Sequence, residues 1–111
     1  MAEGRRITWI GSVPAITGGI FNAFDAALTA EFGATRIGTA SIQTVGDVTV
    51  ASALYTGVLA QAMVKRHPDA TLTLYLNVLW DGVPNIAALK AMVQRVFGHT
   101  GVHIIEDVVV L

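Results

Sequence analysis

The chain contains no cysteine, which excludes disulfides, thiolate nucleophiles and cysteine-ligated zinc or iron–sulfur centres. It is also short of charge: Lys, Arg, Asp and Glu make up 14% of its 111 residues, against roughly 25% in an ordinary soluble domain. Seven basic and eight acidic residues leave a net charge of −1, and like charges gather only as the pairs Arg5-Arg6, Lys65-Arg66 and Glu106-Asp107. A duplex binder needs a basic stripe to displace counterions from phosphates. None is present, so no nucleic-acid partner is expected. A secretory signal is not expected either. Trp9, Pro14 and paired glycines interrupt the apolar stretch after Arg5-Arg6, and no small-residue cleavage site follows. The uncharged runs over 7–24 and 48–64 are read as buried strand and helix. The first is broken by Gly and Pro, and the second is at the lower length limit for a span. A cytoplasmic protein without membrane insertion is expected.

What is abundant is apolar side chain: 53% of the residues are hydrophobic and the mean hydropathy is +0.60. One domain fits the length. A domain of this size buries only on the order of two-thirds of the surface its unfolded chain exposes. Some of the surplus must therefore lie outside, where large apolar patches mark interfaces.

Hydrophobic period gives the elements. Residues 6–10 read as a strand, 19–32 as a helix closed by Gly33, and 35–44 as a second strand in which Gly38 permits a bulge. Gly46-Asp47 turns the chain. Residues 49–66, with Val50, Leu54, Val58, Leu59 and Met63, read as a helix apolar on every side, capped by Asp47 or Thr49 and ended by His67-Pro68. The run 71–80 is a strand too apolar for one face in water. Asp81-Gly82-Val83-Pro84 stops it, and Ile86, Leu89, Met92, Val93, Val96 and Phe97 then mark one face of a helix over 85–97. Residues 102–111 return to strand. The order β-α-β-α-β-α-β predicts a three-layer α-β-α domain around a mainly parallel, Rossmann-like four-stranded sheet of order 2-1-3-4. A ferredoxin-like sheet, with a hairpin across Gly46-Asp47, is the second architecture considered.

In such a sheet ligands bind at the carboxyl ends of strands. Those ends carry Gly11, Ser12, Thr17, Gly18, Gly19, Asp47 and Asp81. A glycine-rich segment entering a helix offers free N–H groups to an anion, so these residues form a candidate nucleotide or phosphorylated-metabolite site. The spacing is neither GxGxxG nor GxxxxGK[ST], and no lysine stands near. The segment 11–34 resembles the strand-loop-helix opening of short-chain dehydrogenases. It departs from them in glycine spacing, in the missing acidic end of strand two and in having no Tyr-x-x-x-Lys pair. Asp47 and Asp81 could meet as a carboxylate pair if their strand ends adjoin. His67, His99 and His103 belong to different ends of the expected fold. No catalytic set, metal site or cofactor is expected.

The function that composition supports is a non-enzymatic interaction, adaptor or self-assembly module, acting as a homo-oligomer or with a protein partner. Its expected contact residues are Val50, Leu54 and Val58 of the middle segment and Val109 and Leu111 of the apolar C-terminal stretch. Such a stretch is normally covered, by a neighbouring subunit or by further chain.

Overall fold

The computed structural model describes residues 3–14 and 18–110. The chain runs β1 (Glu3–Val13), α1 (Gly18–Phe32), β2 (Arg36–Val45), β3 (Val48–Tyr55), β4 (Val58–Arg66), β5 (Leu72–Asp81), α2 (Ile86–Phe97) and β6 (Thr100–Val110). The six strands form one sheet in the order β2-β3-β4-β5-β1-β6, and every neighbouring pair is antiparallel. This overturns the parallel three-layer, Rossmann-like expectation. It also differs from the ferredoxin-like alternative, although the hairpin across Gly46-Asp47 that the alternative required is present.

The difference lies in one segment. Residues 48–66 are a β-hairpin: Tyr55 pairs with Val58 across the two-residue turn Thr56-Gly57, and Gly57, at the second central position, takes a left-handed conformation (φ 74°) that favours glycine. Val50, Ser52 and Leu54 point to one face while Ala51, Ala53 and Tyr55 point to the other. Both sets are largely apolar, so the period-two alternation is invisible in a plain count of hydrophobic residues. With this segment extended, β2 to β5 form an unbroken meander, and no crossover remains there to make neighbours parallel.

Both helices lie on one face. Phe24, Leu28, Leu89, Met92, Val93 and Phe97 bury themselves against Ile7, Trp9, Leu74, Leu76 and Val78 of the central strands. Phe97 joins the two helices to each other, its ring centroid 5.4 Å from Phe24 and 6.2 Å from Phe21. Lys90 pairs with Glu106 and so ties α2 to β6, and Phe32 rests on Trp80 at 5.3 Å.

The helix ends obey local chemistry. Gly33, left-handed at φ 68°, donates to Thr29 O and closes α1 in an αL cap, and Ala34 donates to Leu28 O. Asn85 Oδ1 accepts from Ala88 N–H at 3.1 Å, and Gly98 closes α2 at φ 63°. Asn85→Ala leaves that N–H without its cap and is expected to cost about 1 kcal/mol in urea denaturation. No helix among the described residues is long and apolar enough to cross a membrane.

Candidate functional site: the uncovered face of the sheet

Among the described residues, no element covers the second face of the sheet. Strand pairing orders its side chains into rows running across the strands. One row reads Ile37, Leu54, Leu59, Leu79, Arg6, Asp107; the next reads Ser41, Ser52, Gln61, Asn77, Thr8, Ile105; the third reads Gln43, Val50, Met63, Tyr75, Ile10, His103. Two apolar bands thus flank a polar one. Within these rows the only Asp, Glu, Lys or Arg residues are Arg6 and Asp107, which pair with each other at 3.2 Å. Lys65 and Asp81 stand one row further out, at opposite ends of the face. Seven of the exposed large hydrophobic residues belong to this face: Ile37, Val45, Val50, Leu54, Met63, Tyr75 and Ile105. Val50 and Leu54 are each about half exposed, at 51% and 48%. In the polar band Asn77 donates to Thr8 Oγ1 at 3.1 Å, while no side-chain hydrogen bond joins Ser52 or Gln61 to another described residue.

The contact residues expected from sequence divide accordingly. Val50 and Leu54 stand on the open face as strand residues, not on a helix, and Val109 shares that face beside Gly4. Val58 points the other way and is buried under the helices at 3% exposure, so it cannot meet a partner. Leu111 lies outside the described residues. Met63, Tyr75, Ile10 and Ile105 were not among the expected contact residues, because their membership of one face depends on the register between distant strands.

The seven residues of the expected anion site do not converge. Gly11 and Ser12 belong to β1 and not to a loop. Gly11 is glycine because a Cβ there would meet Val102 Cα at 3.0 Å. Gly18 and Gly19 open α1, and Thr17 lies outside the described residues. Asp47 sits in the β2–β3 turn, where its carbonyl accepts from Arg66 N–H. Asp81 ends β5 beside Gly4. The intervening strand β4 has nine residues, so the two carboxylates are separated by roughly 25 Å along the strand direction. They form no pair. No cluster of three metal-ligating side chains occurs among the described residues.

Two polar groups are held inside the helix layer. Tyr55 is buried and donates to Asp25, which also pairs with Arg36 at 2.7 Å. Burial, followed by the bond to the Asp25 carboxylate, pushes the Tyr55 hydroxyl well above the usual tyrosine range and keeps it a donor. His99 follows α2 against Phe97, and neither ring nitrogen has a partner among the described residues. Burial lowers its pKa below 6.5 and keeps it neutral.

A folded-state pKa below the unfolded value means that the unfolded chain takes up the proton first. Stability from this group is therefore complete above about pH 6.5 and declines as the pH falls toward the folded value. His99→Leu is expected to reduce the loss of stability between pH 7.5 and 5, read as the wild-type minus variant difference in urea midpoints.

The fold and this face define the class: a two-layer α/β sandwich with one bare, nearly uncharged sheet surface. No protein-family model and no curated protein sequence matches the chain.

Proposed function

We propose that the chain is a non-enzymatic self-assembly module whose open sheet face is closed by a second copy of itself. The observation that carries this reading is the row pattern, apolar, polar, apolar, with opposite charges at its two ends.

A two-fold axis laid along the polar row sets that row against itself, so the unpaired amide and hydroxyl groups of Gln61 and Ser52 meet their own counterparts. The same rotation stacks Met63 on Leu59, Tyr75 on Leu79 and Val50 on Leu54 of the second copy. His103 comes to face Asp107, and Lys65 comes within one strand spacing of Asp81. A heterologous partner explains the apolar bands equally well, but it gives no reason for this match of the face to its own reverse.

Size agrees. Three rows on six strands cover about 20 Å by 29 Å from strand geometry. A pleated surface of that span offers on the order of 600–800 Å² of accessible area, near the roughly 800 Å² per partner of a standard interface. Two such sheets stack face to face about 10 Å apart, within about 30° of alignment.

Sedimentation velocity on the full chain from 1 to 500 µM tests the proposal. A dimer with a dissociation constant inside that range or below it supports the reading. A monomer at every concentration rules it out.

A further inference from the structure

On the helix side the covering layer stops short of β2. Ile42, which belongs to that face, is still 48% exposed. In the angle between α1 and the sheet is a cleft of about 50 Å³, walled by Phe21 and Phe24 and floored by alanine. Its floor has a plain cause in the sequence. Ala51 pairs with Ala62 and Ala53 with Ala60, so two successive rows carry methyl groups on both β3 and β4. In those rows β5 carries Leu76 and Val78, and β1 carries Trp9 and Ile7. Short side chains make the hollow.

Volume limits the occupant. A buried water needs roughly 10–15 Å³ of such space, so the cleft takes only a few water-sized groups: a single ring or a short branched chain. Charge at the rim chooses its polar end. Asp25 accepts from Tyr55 and pairs with one guanidinium nitrogen of Arg36. The remaining N–H groups of that fork make no side-chain hydrogen bond to a described residue. A planar guanidinium held from one side by a carboxylate is well set to receive a second carboxylate in bidentate fashion.

We propose that this cleft binds a small monocyclic or branched-chain carboxylate, its apolar body on the alanine floor and its carboxylate on Arg36. The site lies on the opposite side of the sheet from the face proposed for self-assembly. The two ideas therefore stand or fall separately, and Met63→Glu, on that far face, must leave ligand binding unchanged.

The test uses 4-fluorobenzoate, with 4-fluorobenzyl alcohol as its neutral counterpart, each titrated against the full chain and followed by fluorine NMR. Saturable binding of 4-fluorobenzoate is expected. Ala53→Leu fills the hollow and should abolish it. Arg36→Gln changes a half-exposed side chain, keeps the fold, and should weaken 4-fluorobenzoate about tenfold, the effect of losing one charge-assisted contact, while sparing the alcohol. The site is refuted if wild-type protein shows no saturable binding, or if Ala53→Leu folds and binds undiminished. The carboxylate assignment is refuted if Arg36→Gln weakens both ligands equally or neither.

Discussion

Met63→Glu is expected to yield a folded monomer at concentrations where the wild-type chain is dimeric. Met63 lies near the middle of an apolar row, between Val50 and Tyr75, and is 45% exposed in the isolated chain. A glutamate there remains hydrated in the monomer, and such surface changes usually alter stability by no more than about 0.5 kcal/mol. In the face-to-face dimer the same carboxylate would be pressed against Leu59 of the second copy, with only Lys65, two residues along the strand at the edge of the face, to offset its charge. Symmetry applies the penalty twice. Burying a charge whose hydration is only partly replaced costs at least about 1 kcal/mol per copy and so about 2 kcal/mol per dimer, and the dissociation constant should rise some thirtyfold or more, roughly tenfold for each 1.4 kcal/mol. Sedimentation read beside the urea midpoint separates the effects: association falls while the midpoint holds. Gln94→Glu, on the exposed side of α2, should change neither.

Phe97→Ala is expected to have the largest effect on the fold. Phe97 is 1% exposed and touches Phe21, Phe24 and His99, so one ring holds α1, α2 and the approach to β6 together. Its removal forfeits the burial of an aromatic side chain and leaves a cavity that two rigid helices cannot close. The expected loss is about 3–5 kcal/mol, a large share of the roughly 5–15 kcal/mol that sustains an average domain. Urea denaturation should show a lower midpoint. The sheet face is remote from this ring, so protein that remains folded should still associate.

Much of the fold could be read from the chain, and the failures have one physical origin. Helix α2 was legible because Ile86, Leu89, Met92, Val93 and Phe97 sit at helical spacing between a cap at Asn85 and a stop at Gly98. The middle of β1, the start of α1, the bulge near Gly38 and the apolar strand β5 were legible from glycine positions and β-branched residues, whereas β1 extends to Glu3 and Val13, beyond the expected 6–10. Residues 49–66 were misread as a helix because alanine, leucine and methionine favour helices and because apolar residues occupy both faces of both strands. The turn at Thr56-Gly57 was the available signal. A two-residue step ending in glycine between two strand-length apolar runs is a hairpin signal. The parallel sheet followed from that error and from β5. A strand apolar on both faces does imply cover on both faces; here helices cover one face, and nothing in the described chain covers the other.

The open face could be foreseen in amount but not in outline. Scarce charge and abundant apolar residues announced excess apolar surface, and Val50 and Leu54 were picked out, though on the wrong kind of element. Its rows depend on the register of six strands, and β1 lies between β5 and β6, which no local pattern reveals. The cleft beside α1 was hidden for the same reason: its alanines adjoin only after the hairpin forms.

The most direct measurement is an isotope-filtered NOE experiment on a mixed sample of labelled and unlabelled chains, observing the Met63 ε-methyl group. Within one chain Met63 and Leu59 are four residues apart on an extended strand, roughly 13 Å, too far for a cross-peak. A face-to-face dimer predicts intermolecular cross-peaks from Met63 to the Leu59 methyls and from the Tyr75 ring to Leu79. A sample that sediments as a dimer yet gives neither, or gives contacts only from the helix side, would contradict it.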